Sequence, residues 1–335
     1  LGLAETMRLG VAPARATDGA VWLVRRLGCS SASGLVNAVL RRAVATWREA
    51  VERSPVDVRY SHPEWMYDRW RENFGEDGAV NCMASAQERA ATWVWFLDDS
   101  ARVGLDDEGV ELVAHPWCPG AWSAPGEPGR VVREVVWGRA YAQDPSSQLV
   151  AHTALGLSPK GGTFLDLCAA PGGKTALLVR NGEWSRAAAA DLRPARARLV
   201  RSLLESTDSL PVVVADAVQP PFVPGSWDLV VLDAPCTGTG TFRRHPELKW
   251  RLTPPSIEEM AARQRELLLS ALSLIAPGGA ALYSTCSVEP EENEGVVAEL
   301  PPEFEIEDLS SVFPEGVPVQ PTEAGGARVL PNADG

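Results

Sequence analysis

The sequence predicts an α/β protein built on an open parallel sheet, and three observations carry that prediction. From Ala142 onward, apolar runs near residues 164–168, 187–191, 211–215, 228–233 and 279–285 alternate with helical patterns. Such alternation of buried strands and helices describes a sheet covered on both faces. The first run passes directly into a glycine turn and a helix, through Phe164-Leu165-Asp166-Leu167-Cys168-Ala169-Ala170-Pro171-Gly172-Gly173-Lys174-Thr175. Finally, Cys168, Asp191, Asp216 and Asp233 all fall at carboxyl ends of strands, where open α/β sheets place their ligands.

The glycine turn narrows the ligand. Gly172 and Gly173 carry no Cβ and can take positive φ, so the backbone can approach a bound molecule with its amides outward, at a positive helix N-terminus. A P-loop would need glycine at position 168, which is Cys168, and the G-x-G-x-x-G pattern is absent. Ala187-Ala188-Ala189-Ala190-Asp191 reads as a second strand ending in a carboxylate, at the distance where such folds place the acid that takes a ribose diol. Pro211-Val212-Val213-Val214-Ala215-Asp216 repeats the form. Two strand-end acids and one glycine turn favour an S-adenosylmethionine pocket; the alternative is that Asp191 and Asp216 cap helices.

Composition sets outer bounds. The 335 residues, 45% hydrophobic and 22% charged, suit a soluble globular protein of two or three domains. There is no run of eighteen apolar residues and no signal-peptide pattern, so a cytoplasmic location is expected. Cys29, Cys82, Cys118, Cys168, Cys236 and Cys286 form no C-x-x-C pair, which argues against zinc, a redox motif or a disulfide framework. No metal and no membrane partner are expected, and the chain is read as a monomer. The net charge of −13 is unevenly spread: residues 1–60 carry nine Lys/Arg against five Asp/Glu, and residues 288–335 one Arg against twelve acids. A basic front end is compatible with an RNA partner, and the acidic tail equally with a solvated surface.

In chain order, residues 17–52 place apolar positions at helical spacing (Val21, Leu23, Val24, Leu27, then Leu35, Val36, Val39, Leu40, Val44, Trp47), predicting two helices joined at Gly28-Cys29-Ser30. Ser54-Pro55 breaks the pattern, and a helix carrying Trp65, Met66, Tyr67, Trp70 and Phe74 follows Ser61-His62-Pro63. Residues 92–140 read as a small α/β subdomain whose β-rich runs include Thr92–Leu97 and Val131-Val132-Arg133-Glu134-Val135-Val136-Trp137. Its tryptophans have two readings, core packing or stacking on RNA bases. The expected domains are therefore 1–55, 56–141 and 142–335.

Two further strand ends carry thiols. The fourth strand runs out through Asp233-Ala234-Pro235-Cys236-Thr237-Gly238-Thr239-Gly240, and the fifth through Tyr283-Ser284-Thr285-Cys286-Ser287. Either cysteine alone would be read as structural, but two at equivalent strand tips beside a cofactor turn point to chemistry. A thiolate adding to carbon 6 of a pyrimidine makes carbon 5 nucleophilic enough to accept a methyl group, dividing one hard step into easier ones. A carboxylate near the ring, such as Asp233, could hold or protonate N3.

These stretches, with Arg243-Arg244-His245-Pro246-Glu247-Leu248-Lys249-Trp250 and Tyr283 through Asn293, resemble the motifs of the NOL/NOP/Sun RNA cytosine-5 methyltransferases, and in detail their bacterial branch acting on 16S ribosomal RNA. The resemblance covers residues 142–335. It extends forward through Ser33-Gly34-Leu35-Val36-Asn37-Ala38-Val39-Leu40-Arg41-Arg42, which is similar to the end of a NusB-like RNA-binding domain. It implies a Rossmann-like methyltransferase sheet preceded by a small RRM-like α/β subdomain and a partial NusB-like helical segment. It further implies that Cys286 is the nucleophile, that Cys236 assists product release, and that Cys168, Ala169, Ala170, Pro171, Gly172, Gly173 and Lys174 bind S-adenosylmethionine with Asp191, Asp216 and Asp233. Arg243, Arg244, His245 and Lys249 would face RNA, with Arg251 a weaker candidate. Ribosomal RNA is the implied substrate; transfer RNA, or a non-catalytic assembly role, are the alternatives. Thr237 and Thr239 depart from the small residues common there, the helical front is incomplete, and the sequence ends at Asn332-Ala333-Asp334-Gly335 where a final strand is expected, as in a truncated chain.

Overall fold

The computed structural model describes residues 1–205, 210–309, 312–314, 316–322, 326–329 and 331. The final strand expected beyond Asn332 lies outside them. Two units are separable, Leu1–Arg69 and Trp70–Gly335.

The first unit is helical: α1 (Gly2–Leu9), α2 (Pro13–Arg26), α3 (Ser33–Glu52) and the short α4 (Val56–Arg59). Pro13 starts α2 at a position where a missing N–H costs nothing, and a one-turn 3₁₀ segment, Ser30–Ala32, joins α2 to α3. Of the residues in α2 and α3 only Ala16 and Thr17 are buried, while Trp22, Leu35 and Val39 stay more than half exposed. Helix α5 (Glu64–Ser85) follows, interrupted where Gly75 leaves helical conformation at φ 73°.

The second unit contains a small antiparallel sheet in the order β2-β3-β1-β4, from β1 (Val94–Phe96), β2 (Val113–Ala114), β3 (Trp122–Ser123) and β4 (Ala140–Ala142). Helices α6 (Asp99–Asp107) and α7 (Pro128–Val136) pack with it. The expectation of a strand over 131–137 is corrected: α7 occupies that run. Its four valines favour strand by propensity, but they fall at i, i+1, i+4 and i+5. In a helix Val131 and Glu134, three positions apart, turn inward together while Val132 and Val136 face out, and Glu134 is held by Arg133 and Arg139. Trp95 and Trp117 are buried at 3% and 6% exposure, which is the core reading of those two tryptophans.

Next come α8 (Pro145–Leu157), β5 (Gly162–Asp166), α9 (Gly173–Asn181), β6 (Trp184–Asp191), α10 (Pro194–Leu204), β7 (Val212–Val214), β8 (Trp227–Asp233), α11 (Pro254–Ser273), β9 (Ile275–Ser284) and α12 (Glu294–Val297). A terminal hairpin pairs β10 (Val319–Pro321) with β11 (Ala327–Val329). The five strands β7-β6-β5-β8-β9 make one parallel, Rossmann-like sheet. Side chains alternate across it with the period of two that a strand imposes. Phe164, Leu229 and Val231 pack with α8, α9 and α10, and Leu165, Val230 and Leu232 pack with α11. Strand order reverses between β5 and β8, so a crevice opens at their carboxyl ends.

Candidate active site

At the tip of β5 the chain turns sharply into α9. Gly172 sits at φ 111°, and a Cβ there would stand 3.2 Å from Val200 Cα. At Gly173 a Cβ would meet Tyr141 Cε1 at 2.5 Å, so only glycine fits between the turn and β4. Cys168, Ala169, Ala170, Pro171, Gly173, Lys174 and Asp233 of the expected set line one cavity. Tyr141, Gln143, Ser147 and Asp166 line it too, and sequence reading did not name them as site residues. Their signal was slight: a polar run ahead of α8 and an acid one step inside the β5 strand end.

Asp166 is fully buried and accepts from Thr175 Oγ1 at 2.7 Å and Cys168 N–H at 3.3 Å. Burial pushes its carboxyl up to about 7, against the opposing effect of the Thr175 hydroxyl. Asp191, at the end of β6 and 5% exposed, accepts from Ala170 N–H at 3.3 Å and Arg193 N–H at 3.0 Å, with Arg196 Nε 3.5 Å away. It thus braces the turn beside the cavity. Asp216 lies farther out and exposed, accepting from Val218 N–H at 3.0 Å and Arg263 Nη2 at 3.2 Å.

Lys174 connects this corner to the next. Its ammonium donates to Asp233 at 2.7 Å, and Ser284 Oγ donates to the other carboxylate oxygen at 2.9 Å. Burial alone would lower the Lys174 pKa; the Asp233 carboxylate outweighs it and raises it, so the lysine is charged.

Beyond β8 and β9 the two expected thiols meet, with Cys236 Sγ 2.6 Å from Cys286 Sγ and Cys286 N–H donating to Cys236 Sγ at 3.2 Å. Their environments split them. The Cys236 hydrogen bond lowers the Cys286 pKa and the Lys174 charge adds to that, against burial and Asp233. The same hydrogen bond, burial and the Cys286 charge raise Cys236. Burial pushes three other thiols the same way, Cys82 to about 11 and Cys118 and Cys168 to about 12. Cys286, which is exposed, is therefore the thiol most readily ionised among those whose pKa is displaced.

The cationic segment after Gly240 is mixed. His245 is exposed and 4.0 Å from Glu247, and Arg243 is half-buried. Arg244 donates to Asp144 at 2.8 Å and to the Ala91 carbonyl at 3.2 Å. Lys249 is only 4% exposed, its ammonium 6.0 Å from the centre of the Trp250 ring. Among the described residues no helix is long and apolar enough to cross a membrane, and no three His, Cys, Asp or Glu side chains cluster as metal ligands do.

Residues 154–335 match the family described as 16S rRNA methyltransferase RsmB/F. The chain is 38% identical over 295 residues to a Mycobacterium tuberculosis protein named as a methyltransferase, covering 81% of this chain and 62% of that one. The chain thus spans about three-fifths of that relative's length. It is 32% identical over 334 residues to the ribosomal RNA small subunit methyltransferase B of Erwinia tasmaniensis, covering 96% and 74%. A solved methyltransferase homologue from Pyrococcus horikoshii superposes with a TM-score of 0.61 at 26% identity, over 83% of this chain and 93% of that one. The glycine turn and the paired thiols therefore sit in a chain that belongs to the 16S rRNA methyltransferase RsmB/F family, a family of S-adenosylmethionine-dependent methyltransferases.

Proposed function

We propose that this chain methylates carbon 5 of a cytosine in small-subunit ribosomal RNA, using S-adenosylmethionine and a covalent adduct between Cys286 and carbon 6. The observation that carries the reading is the meeting of two sulfurs, one with lowered and one with raised proton affinity, beside the glycine turn.

The residues present fit the cofactor. A cradle too tight for a Cβ at Gly173 leaves room for a ligand against backbone amides of 168–174. Asp191 Oδ1, which accepts from Arg193 N–H, keeps a lone pair for a ribose hydroxyl, and Asp216 and Asp233 complete the proposed acidic set. When bound, S-adenosylmethionine supplies an electrophilic methyl group. The Cys236 hydrogen bond, aided by the Lys174 charge, favours the Cys286 thiolate, whose sulfur can bond to carbon 6 and place the displaced electron pair on carbon 5 and the ring. Asp233, held between Lys174 and Ser284, is the group proposed to hold N3. Once Cys286 is a thioether it carries no charge, and the repulsion that kept Cys236 protonated goes with it. Cys236 can then lose its proton to solvent and, as the thiolate, take the carbon 5 proton; the electron pair left behind expels Cys286 as thiolate, restoring the ring.

Residues 1–55 are read as a helical RNA-binding segment, 56–141 as a small α/β subdomain and 142–335 as the catalytic domain, working as a cytoplasmic monomer. Arg243, Arg244 and His245 are the proposed RNA contacts; Lys249 would need to swing out of its buried position to join them. The deciding experiment supplies labelled methyl donor with separated ribosomal and transfer RNAs and maps the modified nucleotide. Label on carbon 5 of a cytosine in 16S RNA is expected, and Cys236→Ala should accumulate a protein–RNA adduct that survives denaturation. Label confined to transfer RNA would move the substrate, and free RNA alone with Cys236→Ala would remove the release role.

A further inference from the structure

Glu292 has no part in the steps above, yet it is wholly buried between the two loops that carry the sulfurs. A buried carboxylate is costly unless its lone pairs are filled. Here the partners are all donors from those loops and from α11. One oxygen accepts from the backbone N–H of Thr237, the residue after Cys236, at 2.9 Å, and from Gln264 Nε2 at 2.8 Å. The other accepts from the Thr237 hydroxyl and, at 2.5 Å, from Ser287 Oγ, the residue after Cys286. Gln264 Nε2 also donates to the carbonyl of Pro235, the residue before Cys236, at 2.8 Å. The loops touch directly as well: Gly240 N–H donates to the Cys286 carbonyl at 3.0 Å, and a Cβ on Gly240 would lie 2.9 Å from that oxygen.

We propose that Glu292 is a positioning residue, which ties the residue following each cysteine to one carboxylate and so sets both the approach of Cys236 to Cys286 and the order in which they act. The inference rests on the two-thiol reading of the reaction. Charge works in the same direction as geometry. The groups facing the sulfurs are Lys174 from α9, Asp233 from the end of β8, Tyr283 from β9 and Glu292 itself. Glu292 is the negative side chain that acts on Cys236 besides Cys286, and it disfavours a second thiolate there. Neutralising it would let Cys236 ionise too early while loosening its loop.

The test is Glu292→Gln in the full chain, with Thr237→Val as a second variant that removes one donor and keeps the side-chain size. Methyl-transfer kinetics and trapped adduct are read alongside iodoacetamide labelling of Cys236 and Cys286 against pH, which needs neither RNA nor cofactor. Glu292→Gln should lower kcat about 100-fold, the effect of a small misplacement of a reacting group, with KM for RNA within about twofold. Adduct should accumulate, and Cys236 labelling should move to lower pH. Thr237→Val, which leaves the Glu292 charge in place, should lower kcat about tenfold and change the iodoacetamide labelling rates of the two thiols through their geometry. Unchanged labelling overturns the proposal, whatever happens to kcat, because a merely structural role would lower activity without altering the thiols. Should Glu292→Gln fail to fold, unchanged labelling in Thr237→Val overturns it equally. A labelling shift in a protein whose wild-type form methylates no RNA would support the positioning role and sink the proposed reaction.

Discussion

The two corners of this crevice are assembled in different ways. The glycine corner is built on one continuous stretch from Asp166 to Lys174, shaped by what the backbone can do at Gly172 and by the lack of room for a side chain at Gly173 against Tyr141 and Gln143. The thiol corner joins segments fifty positions apart, and side chains from α11 and the loop before α12 hold them together. The first corner is defined by atoms that must be absent, the second by donors that must be present. A site of the first kind is damaged by adding a methyl group, and one of the second kind by removing a hydrogen bond.

Substitutions can break or sharpen that contrast. The largest effect is expected from Cys286→Ala, which should cut methyl transfer by on the order of 10⁴-fold or more while leaving S-adenosylhomocysteine binding within about twofold by calorimetry. Turnover above one-tenth of wild type would detach the nucleophile from the thiol corner. Asp166→Asn probes the base of the glycine corner through pH. The folded-state pKa of about 7 lies above the ordinary 3.8, so the folded protein holds this proton more tightly than the unfolded chain does. The stability this supplies is complete below about pH 4 and is lost as pH rises through 7. Asparagine carries no such proton, so the variant should gain on the wild type by on the order of a few kcal/mol between pH 4 and pH 8 in urea midpoints. Parallel pH courses for the two proteins would contradict the burial effect. The smallest expected change belongs to Gly173→Ala, whose Cβ would overlap Tyr141 and stand 3.1 Å from Gln143 Cδ. Crowding should cost about 1–3 kcal/mol of stability and weaken S-adenosylhomocysteine binding about tenfold, with the iodoacetamide reactivity of Cys286 unaltered. A change in Cys286 reactivity would mean that the two corners are not separable.

Legibility followed locality. The strands were readable because each is a short apolar run, and the structure places all five at or close to the expected residues, although β6 begins at Trp184 and β9 at Ile275, ahead of the runs that announce them. Gly172 and Gly173 were readable because no other residue type serves that turn. The run 131–137 misled because four valines have strand propensity, whereas the packing of Val131 and Glu134 on one side favours a helix. Lys249 looked like a surface cation in a basic cluster, and nothing local announces that its side chain turns inward. Glu292 stood among several acids of an exposed-looking run, Glu289-Pro290-Glu291-Glu292, and only the fold shows that Glu289 and Glu292 turn inward and that Glu292 meets both thiol loops.

By itself, then, the sequence determined the alternation of strands and helices, the glycine turn and the presence of a cysteine just past each of two strand ends. Those features depend on properties of neighbouring residues, such as apolar spacing and the absence of a Cβ, which survive in a linear reading. Tertiary structure alone decided the strand order that brings β5 and β8 side by side, the contact between Cys236 and Cys286, and the different ionisation of those two thiols. The reason is physical: a thiol's proton affinity depends on burial and on charges from Lys174, Asp233 and Glu292, groups far apart along the chain that come together only when the sheet closes.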